Sequence, residues 1–559
     1  MNDFPETLEQ LSDRLDELEK RVLALERPHE APITAPLLIA PTAEEHAIEQ
    51  ASGVFPILGR AVLGIAGAYA LRAMEASAAV PGLAMGLLAI GYAMGWVVWA
   101  ARAERRTYLA GAIYAGTSAL ILAPTLWELV LRFRVASAGF AALMLLIYVA
   151  TASALAWKHA RSEVYWIAHA AAAATGFILG IASHNLAPFL VTLLGIALIN
   201  EYSAVSGHER SVRPLVSLVA AADVWVLIFV YSGPPNASSG YPALNLAEML
   251  APGCVLFVIN AGGITARAVQ RRQPVPILDT VQAAIAFALA AASVLYLAPH
   301  AGQVVLGIVC LILSAACYTA WLTVFQRESE ARNGAIFAIW SAGLLLAGTL
   351  WSMPSNWMSL CLGIASIASI AFGARLNSKT LGLHGVVYLG AAAAASGLIW
   401  HAARMLAGGL PGRPAWSIYA AAFFALAGYA VAKEPEAEDW RLHIGHFVLA
   451  FLAAFAFTAL LAQGLLRVMS LWVVLDVFHI AFVRTFSVCI LALALAYGGS
   501  RLKRMEMTRI AYAALAFVAA KLLFEDLRHG RMEFIAGSLF LFAVTLIGVP
   551  RLGHKSGPS

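Results

Sequence analysis

The chain has 559 residues, of which 61% are hydrophobic and only 12% charged, with a net charge of +5. Soluble domains carry roughly 25% charged residues, so a globular protein of this size could not cover its apolar surface this way, and lipid must solvate much of it. The positive excess lies in short basic loops, and no Lys/Arg stripe is interleaved with aromatics, which argues against a nucleic-acid partner.

Residues 1–27 are acidic and amphipathic, with no apolar core of a signal peptide, so the start of the chain is expected to stay in the cytoplasm. Phe4, Leu8, Leu11, Leu15, Leu18, Val22 and Leu25 alternate in spacings of four and three, the a/d stripe of a coiled coil. Such a stripe joins copies of the chain through residues 4–25; the competing reading is a helix lying on the membrane or on the protein's own loops. Pro28, Pro32, Pro36 and Pro41 stop that helix, and residues 28–54 read as an extended Pro/Ala-rich tether.

From residue 55 to 549 the chain is almost continuously apolar, and the expectation is an all-α polytopic protein of about eighteen transmembrane helices. Approximate spans are 55–72, 80–100, 107–127, 137–157, 163–183, 186–204, 212–232, 247–266 and 276–297. The series continues with 301–325, 333–352, 355–375, 380–402, 414–432, 443–463, 471–498, 508–527 and 533–549, before a tail at 550–559. Gly82, Gly86, Gly91 and Gly95, with Gly176 and Gly180 and the alanine runs at 170–174 and 391–395, predict smooth faces for close helix packing in lipid.

Charge alternates with the loops. One set carries Arg102, Arg105 and Arg106; Lys158 and Arg161; Arg210 and Arg213; Arg267, Arg271 and Arg272; Arg327 and Arg332. It goes on through Arg375 and Lys379; Lys433 and Arg441; Arg501, Lys503, Arg504 and Arg509; and the tail residues Arg551 and Lys555. The intervening loops near Asn185, Pro234, His300 and Ser355 carry neither Lys nor Arg. This is the positive-inside pattern, and it predicts both termini in the cytoplasm. The loops are too short for a soluble nucleotide-binding or catalytic domain. No phosphate-binding loop, H-E-x-x-H or G-x-S-x-G sequence occurs. Cys254, Cys310, Cys317, Cys361 and Cys489 all fall in apolar stretches without metal-ligand spacing, so no disulfide framework, metal or cofactor is expected.

The exceptions to the charge rule gather late in the chain. Arg132, Arg134, Arg404, Arg413, Arg467, Arg528 and Arg531 lie on the opposite side, while Arg484 and Lys521 fall inside spans. Counted from the basic loop between them, Arg484 and Lys521 sit at ~20 Å and ~18 Å. Asp476, His479, Glu525 and Asp526 lie just beyond. One reading is an outward-facing polar pocket for an anionic small molecule or lipid headgroup. The other is a set of intramembrane salt bridges, Lys521 with Glu525 and Arg484 with Asp476 or Asp526, that only lock helices; snorkelling to the headgroups is a third. Asp223, Glu248 and Asp279 sit near span ends. Asp223 is the most deeply placed, readable as a proton-coupling carboxylate or as a hydrogen-bonded packing residue.

The layout resembles a bacterial family of large multispanning membrane proteins of unknown function. Its features are a short Leu-rich coiled coil, a Pro/Ala-rich tether and Gly/Ala-rich spans. The closest local match is Lys521-x-x-x-Glu525-Asp526-Leu527, followed by Phe534 and Gly537; Glu533 stands where that family has Ser. The resemblance implies an inner-membrane, multi-pass location and transfers no catalytic residue. The expected activity is transporter- or flippase-like handling of an anionic envelope precursor. The alternatives are a scaffold assembling partners through the coiled coil, and an embedded enzyme acting on a lipid-linked substrate with Asp476, His479 or Asp526 as acid or base.

Overall fold

The computed structural model describes residues 17–22, 55–70, 82–103, 108–208, 212–234, 238–299, 301–325, 331–407, 412–432, 440–526 and 531–553. The chain divides into two units, Met1–Ala66 and Gly67–Ser559. Within the first, residues 17–22 form an exposed helical turn in which Arg21 lies 3.6 Å from Glu17. The rest of the heptad stretch and the tether lie outside the described residues, as does the tail beyond residue 553.

The described residues are almost wholly helical. A short apolar helix, α1 (Phe55–Ala70), comes first. It is followed by α2 (Gly82–Arg102), α3 (Tyr108–Trp127), α4 (Ala138–His159), α5 (Ser162–Ala182), α6 (Leu186–Ser206), α7 (Arg213–Ser232), α8 (Leu246–Val269) and α9 (Ile277–Leu297). Next are α10 (Ala301–Thr323), α11 (Ala331–Ser352), α12 (Ser355–Leu376), α13 (Lys379–Ala395), α14 (Leu398–Ala407) and α15 (Trp416–Val431). The last are α16 (Trp440–Met469), α17 (Val477–Arg501), α18 (Met505–Lys521) and α19 (Met532–Gly553). Single π-helical turns extend α3 (Glu128–Arg132) and α18 (Leu522–Asp526).

Among the described residues, 15 helices are long and apolar enough to cross a membrane, or 16 if α13 and α14 count as one bent span. With α1 and α15, which are apolar but shorter, every expected span has a helix. The chain is a polytopic all-α membrane protein.

Two expected spans differ in form. The one expected at 380–402 is broken: α13 and α14 meet at a 67° bend. Gly397 takes φ 77° there, a left-handed conformation that costs glycine little, and the Ser396 hydroxyl accepts from the Leu398 N–H at 3.2 Å. The other was expected to start at Leu471 but starts at Val477. Asp476 caps it instead, its side chain accepting from the Phe478 and His479 N–H groups at 3.0 and 2.9 Å while the His479 side chain returns to the Asp476 N–H.

Connections meet their second neighbours, as antiparallel packing requires. At the Lys/Arg-rich ends, Arg161 donates to the Ala103 carbonyl, and Asn333 bonds both Val275 and Gln273. Arg504 likewise donates to the carbonyls of Tyr429 and Ala432. At the opposite ends the His184 and Tyr241 rings lie 5.1 Å apart, Ser417 bonds Asn356, and Arg531 approaches Asp476.

The helices turn large apolar side chains such as Trp225, Phe229 and Val258 outward and bury Tyr148, Tyr165 and Phe189. An outward apolar surface is stable only against lipid. Between lipid-facing helices apolar burial supplies little drive, so close backbone approach matters. One close backbone approach joins α10 to α11, where a Cβ on Gly307 would fall 2.7 Å from the Ser352 nitrogen and 2.9 Å from the Gly348 carbonyl oxygen. The expected smooth faces are only partly used this way: Gly86 abuts Leu129, and Gly176 meets Leu145 and Leu193, but Gly91 and Gly95 have open space beside them. Buried Ser and Thr hydroxyls mostly donate to carbonyls of their own helix, as Thr125 does to Ile121 and Ser153 to Val149.

Candidate functional site

Three of the late charged residues, Arg484, Lys521 and Glu525, lie together, while Asp476 and His479 form a separate cluster. Helices α17, α18 and α19 pack on one another. Arg484 and Lys521, on the first two, are both buried. Lys521 donates to the Ala481 carbonyl and to the Thr485 hydroxyl, each at 3.0 Å, so it reaches across to the turn of α17 that also carries Arg484. Glu525, on the π-turn beyond Lys521, stands 3.4 Å from Arg484 and 3.7 Å from Lys521. Its side chain is 38% exposed, against 6% and 3% for the two cations. The wide π-turn therefore carries a rim carboxylate over a buried cationic floor.

Arg484 lies against Glu525 and away from Asp476, one of the two partners the sequence offers it; the other, Asp526, has its side chain outside the described residues. The reason is the late start of α17: Asp476 caps the helix about two turns from Arg484 and belongs to a second cluster. There His479 Nδ1 lies 2.6 Å from Asp476 Oδ1, and Arg531 approaches the other oxygen at 3.9 Å. The His479 backbone N–H, with the imidazole and the Arg531 guanidinium adding to it, holds the Asp476 carboxyl below its ordinary range. Arg531 also lies over the Phe478 ring at 5.0 Å, and His479 packs edge-on against Phe534 at 4.9 Å. Of Asp526 only the backbone, in the π-turn, is described.

Sequence reasoning missed the most highly organised charge cluster. Glu201 on α6, Arg213 on α7, Arg267 on α8 and Asp279 on α9 form a closed, buried ring. Arg213 bonds Glu201 at 2.9 Å and also bonds Asp279; Arg267 bonds Asp279 at 2.9 Å and also bonds Glu201. The ring is electrically neutral, and each carboxylate oxygen receives one guanidinium N–H. Above it Ser217 donates to Asn260 at 3.0 Å, and Gln282 donates to the Pro214 carbonyl at 2.8 Å.

Arg213 and Arg267 had been read as ordinary positive-inside residues. Asp279 is already notable near a span end; the missed signal was a second acid, Glu201, within a turn or two of a span end where lysine and arginine are the rule. A smaller buried pair of the same kind joins Arg161 to Glu163 at 2.8 Å.

Chemically, all four carboxylate oxygens of the ring are engaged, although Arg213 Nε is buried without a hydrogen-bond partner, and the arrangement suits locking four helices at one level. The α17–α18 floor is different, because its rim carboxylate is half-open and loosely held. Among the described residues no group of three or more His, Cys, Asp or Glu could hold a metal ion. The fold and these clusters define a multi-pass helical membrane protein with buried charge. No protein-family model, no curated protein and no solved structure matches the chain.

Proposed function

We propose that the Arg484–Lys521 floor binds an anionic group, a phosphate or carboxylate of a small molecule or lipid headgroup, from the outer side. On this reading the protein is transporter- or flippase-like and handles an anionic envelope precursor. The observation that carries it is Glu525, one partly exposed carboxylate reaching two buried cations at 3.4 and 3.7 Å. Charge-assisted bonds are best near 2.7–2.9 Å, so a better-placed external anion gains contacts as it displaces Glu525. Buried cations in low dielectric hold such an anion more tightly than surface lysines would.

The purified protein in lipid nanodiscs tests this with two probes, inorganic phosphate and a short-chain anionic phospholipid. Saturating ligand at 100 times Kd stabilises a folded protein by about 2.7 kcal/mol, visible as a rise in Tm. The rise should appear with at least one probe and disappear in R484Q and K521Q. Phosphate acting alone points to a soluble anion, and lipid acting alone to a headgroup. No rise with either probe in the wild type, or an equal rise in both variants, overturns the site.

The Lys521 bonds to Ala481 and Thr485 favour a second reading, in which the cluster only ties α18 to α17. In that case both variants lose stability by the same amount whether or not an anion is present.

A further inference from the structure

The α4–α9 region contains a carboxyl that neither the ring nor the α17–α18 cluster uses. Asp223 is fully buried, and neither of its carboxylate oxygens has a hydrogen-bond partner. It lies ten residues along α7 from Arg213, about 15 Å above the charged ring at 1.5 Å per residue. The helix is 20 residues long, so Asp223 stands midway along its span. This is not the hydrogen-bonded packing residue that the sequence also allowed.

Helix α7 packs against α5, α6, α8 and α9, and the ionisable groups of all four are engaged elsewhere or point outward. On α5, Glu163 pairs with Arg161, and His169 is held by Ser153 at 3.3 Å and by the Tyr165 carbonyl at 2.7 Å. The Tyr165 hydroxyl donates to Asn200. Glu201 of α6, Arg267 of α8 and Asp279 of α9 belong to the ring. Glu248 closes the capping box at the start of α8, and Tyr202, Cys254 and Tyr296 are exposed. No cation from any packed element reaches Asp223 among the described residues.

An ionised carboxylate in that setting would be desolvated and uncompensated, whereas the protonated acid is a small neutral side chain that the core tolerates. We propose that Asp223 is an exchangeable proton-binding site at the middle of the span. At neutral pH the acid holds its proton. When water enters between the helices, the O–H bond breaks, the proton passes to that water, and a hydrated carboxylate remains. Ser217 and Asn260, hydrogen-bonded to each other, lie between the ring residues and Asp223 along α7 and α8. The site does not depend on the anion-binding reading of α17 and α18.

Infrared difference spectroscopy of the full chain in lipid, with aspartate labelled by heavy carbon at its side-chain carbonyl, reads this directly. At neutral pH a carbonyl band of a protonated acid should shift with the label and be absent from D223N. It should then fade as the pH is raised. If D223N fails to fold, D223E keeps the test, because its acid band should remain at neutral pH but no longer shift with the aspartate label. Three outcomes overturn the proposal: no label-sensitive acid band at neutral pH, the same band surviving in D223N, or a band that persists at the highest pH the folded protein tolerates.

Discussion

Gly263 on α8 lies so close to the Glu201 carboxylate that a methyl group in place of its hydrogen would overlap Oε2. The ring of charges thus depends on a missing side chain, and the glycine is required by its neighbour more than by its own backbone.

It follows that G263A should displace Glu201 and lower stability by about 1–3 kcal/mol, the usual cost of overpacking. Shortening the acid with E201D should restore part of the loss, and a double-mutant cycle on Tm in one fixed detergent measures the coupling. Additive losses would mean that the contact is not the cause.

Charge balance in the ring matters more than the number of bonds. E201Q leaves two buried guanidinium groups facing Asp279 alone and should cost about 3–5 kcal/mol. Removing Glu201 and Arg213 together, as E201L/R213M, leaves Arg267 bonded to Asp279 at 2.9 Å. The double variant should therefore melt above E201Q, although it has lost more hydrogen bonds. A lower melting temperature for the double variant would contradict this account.

At the α17–α18 floor, Glu525 competes with any external anion for Arg484 and Lys521. E525Q should tighten phosphate or headgroup binding by roughly tenfold, about 1.4 kcal/mol, and steepen its dependence on salt. Titration calorimetry against wild type measures both. Unchanged or weaker binding would show that Glu525 is part of the ligand cradle and not its competitor.

Asp476 gives a pH prediction. Its carboxyl is held below the ordinary value of 3.8 by the His479 N–H, with the His479 ring and Arg531 adding to it. A lowered folded-state value stabilises the protein above the unfolded value and ceases to do so as pH falls through the folded one. Asparagine also caps helices well, so D476N removes the charge and keeps the cap. Wild type should melt higher than D476N at neutral pH, and the two should converge below about pH 4. A gap of constant size down to pH 3 would place the difference outside this ionisation.

Much of the architecture was legible because the bilayer imposes simple rules. A helix must be long and apolar to cross lipid, so each expected span appears as a helix within a few residues of its place. The misplacements were local and chemical. Leu471 to Leu475 are apolar enough to read as helix, but Asp476 offers its carboxylate to the next two N–H groups and starts α17 there. Ser396 and Gly397 break the α13–α14 span through turn chemistry that hydropathy does not register.

The charged sites divide the same way. Lys521 and Glu525 are four apart on one rod, so their proximity followed from helix geometry. Glu201 and Arg267 are distant in sequence and became partners only when α6 and α8 packed side by side, with Gly263 leaving room between them. Composition and loop charge by themselves determined a polytopic, all-helical membrane protein, because lipid tolerates few polar groups and shows its preference residue by residue. Which buried charges meet, and which carboxyl is left without a partner at Asp223, only the tertiary structure decided. Electrostatic pairing in low dielectric depends on distances between helices, and those are set by side chains that linear order does not bring together.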